Sequence, residues 1–321
     1  MIQMSVDYLH KHKEFKNLLE ILSDEMGIVS QLIEKDYWIM QVLYGLQKKG
    51  FEFELKGGTS LSKGFKIINR FSEDLDIHIK PSTDFHVETN PKKSKPGQIA
   101  SRKNYYDWLA ENIKIDGIIK TYRDTNFDEA RQYRSGGIRL VYNSVFENIE
   151  GLKEGILLEV GFDTVTPNEP LTISSWAFDK ALATPEVKFI DNRAVNVLCY
   201  HPGYTLVEKL QTIVRKFKNE QEEKTENPNL MRQYYDVFCL LDKSEIKTFI
   251  GSHEYLEHKK KRFSKEEFKV PINQNEAFLL SDQDLREGFI QRYKSTKALY
   301  YSGQPDFENV ISRIQEFIDR L

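Results

Sequence analysis

The period of the apolar positions changes along this chain from helical to strand-like and back to helical. Residues 8–24 and 29–49 repeat at helical spacing, the second with Ile33, Tyr37, Met40, Leu43 and Tyr44 on one face. Phe51, Phe53 and Leu55 alternate with polar residues, as do Leu75, Ile77 and Ile79, which predicts strands near 52–56 and 75–80. Between them Gly57 and Gly58 permit a tight turn, and Thr59 or Ser60 can cap a helix running to about Ile68. Residues 81–97, with Pro81, Pro91 and Pro96, read as a polar loop that leads to a helix of about 98–115. Strand-like segments follow at 117–123, 131–142 and 155–163, then a turn at Pro167 and Pro170 and a short helix over 174–183. From about 203 the pattern is mostly helical, near 203–219, 228–241, 244–258, 282–301 and 306–320. The expected architecture is an α/β (α+β) lobe over 1–200 and a mainly helical C-terminal lobe over 201–321.

Composition narrows this picture only slightly. The 321 residues suit two lobes, and 46 basic against 49 acidic side chains give a net charge of −3, which excludes an overall polycation. Any nucleic-acid contact must then come from local basic patches. The two cysteines, Cys199 and Cys239, lie in apolar surroundings and read as buried thiols in a reducing compartment. The N-terminus has neither a basic region nor an apolar core, and no run of 18 apolar residues occurs, so the expectation is a cytoplasmic protein with no membrane partner.

The chemistry concentrates in two adjacent words, Lys56-Gly57-Gly58-Thr59-Ser60-Leu61 and Arg70-Phe71-Ser72-Glu73-Asp74-Leu75-Asp76. A glycine turn before a helix start presents free backbone N–H groups to an anion. Asp74 and Asp76, two apart on an extended backbone, face the same side and can hold Mg²⁺. The 14 residues from Ser60 to Asp74 suit one helix and a return loop, which lays the second strand beside the first. Either word alone is commonly a plain connection or a solvated rim. Together they predict nucleotidyl transfer. A third carboxylate is needed for two-metal chemistry, and Glu159 interrupts the otherwise apolar Ile156-Leu157-Leu158-Glu159-Val160. Glu159 could instead be an edge-strand residue pointing to water, with Asp163 as the fallback ligand.

The words Leu-Lys-Gly-Gly-Thr-Ser-Leu-Ser-Lys-Gly (55–64) and Arg-Phe-Ser-Glu-Asp-Leu-Asp-Ile (70–77) resemble the first signature of the AbiEii/AbiGii-type nucleotidyltransferase toxins. These are relatives of the MenT-type toxins within the polymerase-beta-like nucleotidyltransferase superfamily. Ile33-Glu34-Lys35-Asp36-Tyr37-Trp38 is similar to the family's upstream helix, Thr205-Leu206-Val207-Glu208-Lys209-Leu210 to its lysine motif, and Arg232-Gln233-Tyr234-Tyr235-Asp236-Val237 to its late aspartate motif. These words span about 33–240 and leave the last 80 or so residues unsupported. The resemblance implies a nucleotidyltransferase lobe with a mixed sheet and flanking helices. It also implies a nucleoside triphosphate as substrate, an RNA acceptor such as the tRNA 3′ end, an antitoxin partner, and a toxin of an abortive-infection system.

On this reading the turn Lys56, Gly57, Gly58, Thr59 and Ser60 holds the β,γ-phosphates, and Asp74 and Asp76 bind two Mg²⁺ ions. Glu159 binds the ion that activates the acceptor hydroxyl. By its helical context Lys209 is a solvated lysine; the resemblance makes it the cation that offsets triphosphate charge. Asp236, in an apolar and aromatic stretch with Arg232 at i−4, is either one half of a structural ion pair or, as the resemblance implies, a residue of the catalytic site. Lys35 and Asp36, adjacent on a helix, cannot both face the site. For the acceptor, Arg131, Arg134 and Arg139 on one strand favour phosphate contact, with the basic runs 92–103 and 259–265 behind them. Two other acceptor classes, a protein and a small molecule, remain open, as does a catalytically idle relative. The last is disfavoured because Ser60, Asp74, Asp76, Glu159 and Lys209 are all present.

Overall fold

Alternation of polar and apolar side chains builds the sheet that carries the candidate site. The structure, a computed structural model, describes residues 6–83, 85–149, 151–163, 165–184, 188–227 and 229–321. The chain divides into two compact units, Met1–Gly64 with Phe71–Tyr200, and Phe65–Arg70 with His201–Leu321. The hexapeptide 65–70, between the glycine turn and the Asp pair, therefore belongs to the second unit.

The first unit contains a seven-stranded mixed sheet. Its strands are β1 (Phe53–Lys56), β2 (Asp74–Ile79), β3 (Ile118–Arg123), β4 (Ser135–Tyr142), β5 (Ile156–Gly161), β6 (Asn168–Ile173) and β7 (Ala194–Tyr200), in the spatial order β3-β4-β5-β2-β1-β7-β6. β1 runs antiparallel to β2 and parallel to β7, and β2 runs parallel to β5. Leu75, Ile77 and Ile79 of β2 are fully buried. Asp74, Asp76 and His78 alternate with them on the partly exposed face, as strand geometry requires. Helices α1 (Phe15–Met26) and α2 (Ser30–Lys48), the short turn α3 (Gly57–Thr59), α4 (Pro96–Asn112) and α5 (Trp176–Leu182) complete the unit. The second unit is helical: α6 (Pro202–Glu223), α7 (Leu230–Leu241), α8 (Ser244–Phe249), α9 (His253–Arg262), α10 (Glu276–Leu279), α11 (Gln283–Ser295) and α12 (Phe307–Gln315).

Several elements differ from the sequence expectation. The motif helix stops at Gly64, where a π-helical turn over Ser60–Gly64 ends, rather than at Ile68. The strand expected over 131–142 begins at Ser135, which leaves Arg131 and Arg134 in the preceding turn. The helix expected over 244–258 breaks at Gly251, whose φ of +86° only glycine adopts readily. Strands β6 and β7 have no counterpart in the sequence reading. Pro170 lies within β6, which forms the sheet edge, where a missing N–H is tolerated. Cys199 is buried and Cys239 half-buried. No helix among the described residues is long and apolar enough to cross a membrane.

Candidate active site

Strand register assembles the acidic centre. Asp76 of β2 is paired with Lys56 of β1 on one side and with Glu159 of β5 on the other. Register partners point to the same face, so Lys56, Asp76 and Glu159 form a row across three strands, with Asp74 two positions away on that face. The glycine turn lies directly against this row. Gly57 has φ +70°, and a Cβ there would stand 2.1 Å from Asp76 Oδ2, so the carboxylate packs on a bare Cα. Thr59 Oγ1 donates to the Asp74 carbonyl at 2.8 Å and ties the turn to β2. The left-handed position is thus Gly57, whereas Gly58 lies inside the helical turn. Lys56 and Gly57 keep some exposed surface, while Gly58, Thr59 and Ser60 are buried. The Ser60 hydroxyl makes no hydrogen bond of good geometry among the described residues, although the Cys199 thiol is close enough to feel it.

The electrostatics fit a cation site. Burial, with the charges of Asp76 and Asp74 added to it, pushes the Glu159 carboxyl up to about 7. Asp74 Oδ1 is buried and has no hydrogen-bond partner among the described residues, while Asp74 Oδ2 accepts from Lys153 Nζ. Hard carboxylate oxygens crowded on one face, one of them orphaned, suit a divalent ion such as Mg²⁺. Among the described residues no group of three or more acidic, histidine or cysteine side chains is placed to hold a metal ion as the side chains stand. Asp163, outside β5, accepts from Lys56 Nζ at 3.3 Å.

The proton on Glu159 has a measurable consequence. The folded chain holds it to about pH 7, whereas an unfolded glutamate releases it near 4.5, so the folded state binds the extra proton between these values. Stability then falls as pH rises through that window. Without divalent ions, Glu159→Gln is expected to be the more stable protein at pH 8, by about 2 kcal/mol after allowance for partial exposure. Added Mg²⁺ should raise the melting temperature of the wild type alone. Parallel wild-type and Glu159→Gln melting curves from pH 4.5 to 8 would remove Glu159 from the acidic centre.

Lys35 and Asp36 diverge from α2 and support this centre through different partners. Lys35 Nζ donates to the Lys153 carbonyl at 2.6 Å and pairs with Glu73 at 3.4 Å. Asp36, fully buried, accepts from Lys63 Nζ at 2.6 Å and from the Trp176 N–H at 2.8 Å, and so anchors the end of the glycine turn. Glu73, Lys63 and Lys153 were not singled out by sequence reasoning. Glu73 and Lys63 stand within or beside the motif words, but nothing in the spacing marks Lys153.

The second unit holds its own polar cluster. Asp236 on α7 accepts from Arg70 Nε at 2.7 Å and Nη2 at 2.6 Å, and pairs with Lys209 Nζ of α6 at 2.6 Å. Burial alone would raise the Asp236 carboxyl, but Arg70 and Lys209 outweigh it and hold the group below the usual carboxylate range. Gln233 Oε1 accepts from Lys209 Nζ at 3.2 Å. Lys209 and Asp236 are thus brought together, and Arg70, from the first signature, joins them.

The expected phosphate-binding arginines are dispersed. Arg139 is buried, donates twice to Asp124 Oδ2 at 3.0 and 2.6 Å, and bonds the Glu154 carbonyl. Arg131 and Arg134 are exposed. In the run 92–103, Arg102 is fully buried and donates to the carbonyls of Gln132, Glu88 and Lys93, while Lys92 and Lys95 are exposed.

No curated protein matches this chain significantly. A sequence model of the family described as nucleotidyl transferase AbiEii toxin, Type IV toxin–antitoxin system, matches residues 41–318. The match leaves out the upstream helix word at 33–38 but takes in the C-terminal helices to Ile318, which the motif words alone leave unsupported. A glycine turn, an Asp pair joined to a third carboxylate by strand register, and a match over most of the chain agree: this protein belongs to the AbiEii family of nucleotidyl transferase toxins of toxin–antitoxin systems.

Proposed function

We propose that this toxin transfers a nucleotidyl group from a nucleoside triphosphate to an RNA acceptor, with the tRNA 3′ end as the first candidate, by two-metal catalysis. The observation that carries the reading is the row Lys56, Asp76 and Glu159, with Asp74 beside it, set against the bare Cα of Gly57. Asp74 and Asp76 would hold two Mg²⁺ ions, and Glu159 the one beside the acceptor. When bound, such ions would lower the pKa of the attacking hydroxyl and offset charge on the leaving pyrophosphate. The acceptor oxygen forms a bond to the α-phosphorus as the bond to pyrophosphate breaks, and the hydroxyl proton leaves to solvent.

The remaining roles belong to the chain's own groups. Lys56 and the N–H groups of the turn contact the β,γ-phosphates, while Gly58, Thr59 and Ser60 shape that turn. Lys209, held by Asp236, is the cation proposed to offset charge on pyrophosphate. A partner antitoxin is expected from the family.

RNA as the acceptor rests on exposed cations in a chain of net charge −3, namely Arg131, Arg134, Lys92 and Lys95. Incubation of the purified toxin with each labelled triphosphate, Mg²⁺ and total RNA tests the activity directly. Affinity for RNA is expected to fall with salt, with a slope of roughly 0.7 to 0.9 per phosphate neutralised. Arg131→Gln with Arg134→Gln should lower RNA transfer and leave triphosphate binding unchanged. Arg139→Gln should instead lower the melting temperature, because it strands Asp124. Salt-independent RNA affinity, or wild-type RNA transfer by the double variant, would move the acceptor to a protein or a small molecule.

A further inference from the structure

Lys153 lies outside every motif word and still touches the acidic centre. Its ammonium bonds Asp74 Oδ2, the oxygen next to the orphaned Oδ1. Its backbone is fixed on both sides: the Lys153 carbonyl accepts from Lys35 Nζ at 2.6 Å, and the Lys153 N–H donates to Glu73 Oε2 at 3.4 Å. Lys35 and Glu73 are 1% and 6% exposed, whereas the Lys153 side chain is 33% exposed. Its ammonium lies 4.9 Å from the centre of the Phe127 ring. Lys153 also borders a cavity of about 490 Å³ together with Tyr142, Asn143 and Glu154, so a displaced side chain has room.

We propose that Lys153 is a positioning residue that holds the Asp74 carboxylate while no divalent ion is bound and is exchanged for the ion when metal and triphosphate enter. Asp74, Asp76 and Glu159 repel one another, and the Lys153 ammonium on its flexible stem adds to Lys56 in offsetting part of that repulsion. A partly exposed ion pair is weak, which lets a divalent ion replace it. The backbone grip from Lys35 and Glu73 confines the change to the side chain. This inference rests on the reading of Asp74 and Asp76 as metal ligands, and the experiment separates the two.

Mn²⁺ binding to the nucleotide-free toxin is measured by calorimetry, and melting temperatures are recorded with and without Mn²⁺. The proteins compared are wild type, Lys153→Met, Lys153→Arg and Asp76→Asn. Lys153→Met is expected to bind Mn²⁺ roughly fivefold more tightly, because the competing cation is gone. Its metal-free melting temperature should fall while its Mn²⁺-loaded value matches wild type, and Lys153→Arg should behave as wild type. A merely structural lysine would lower both melting temperatures in Lys153→Met, and that result overturns the proposal. Unchanged Mn²⁺ affinity in Lys153→Met, with affinity lost in Asp76→Asn, overturns it alone. Undiminished Mn²⁺ binding by Asp76→Asn overturns the metal site and the exchange together.

Discussion

Asp76→Asn should fold, bind its antitoxin and lose nucleotidyl transfer by at least about a thousandfold, equivalent to ~4 kcal/mol of transition-state stabilisation. Asp76 is the central member of the row, with Lys56 on one flank and Glu159 on the other. Asparagine keeps the shape that fits against Gly57 but brings no charge to a metal. The fold should not suffer, because removing one of several crowded carboxylates relieves repulsion and lets Glu159 ionise more easily. The metal-free variant should therefore melt no lower than wild type. A melting curve, co-purification with the antitoxin, and incorporation of labelled nucleotide into RNA check the three parts in turn. Wild-type turnover by a folded Asp76→Asn protein would end the reading of this row as a catalytic centre.

Gly57→Val is expected to be as damaging, for a different reason. The φ of +70° costs a β-branched residue on the order of 1–2 kcal/mol or more, and the added Cβ would stand 2.1 Å from Asp76 Oδ2. Backbone and carboxylate must both move, so the proposed phosphate turn and the proposed metal ligand would be displaced by one substitution. Triphosphate affinity should drop more than a hundredfold by calorimetry while far-ultraviolet circular dichroism stays that of the wild type. Gly57→Ala should show most of the same loss, because the Cβ is already the clashing atom. Ser60→Ala, at a buried hydroxyl with no well-formed hydrogen bond among the described residues, should cost less than tenfold. Equal triphosphate affinity in wild type and Gly57→Val would reduce the turn to a plain strand-to-helix connection.

Within residues 51–80 the local sequence carried most of the information. Alternation placed Asp74 and Asp76 on one face of a strand, paired glycines marked a turn, and the 14-residue spacing laid β2 beside β1, as the register from Phe53 to Lys56 shows. Such features depend on neighbours in the chain, where strand period and turn chemistry act. Glu159 was legible for a related reason, because a carboxylate in an apolar strand calls for a partner. The choice of Asp76 as the residue beside it was made by the parallel pairing of β2 with β5, across more than 80 positions.

Other features were decided by tertiary structure alone. Arg70 and Asp236 are 166 positions apart, so the local spacing that pointed to Arg232 could not reveal their pairing. Arg139 and Arg102 read from the sequence as candidates for phosphate contact, but folding buried both and directed their donors to Asp124 and to backbone carbonyls. Lys153 belongs to no motif and lies on Asp74 because Lys35 and Glu73 fix its backbone there. The sequence by itself determined the period, the turn and the residue types of the acidic centre, since these are local preferences of a few consecutive residues. Which charges meet and which are buried was settled only when distant segments packed, because in a low-dielectric interior each charge takes the partner that the fold brings within reach.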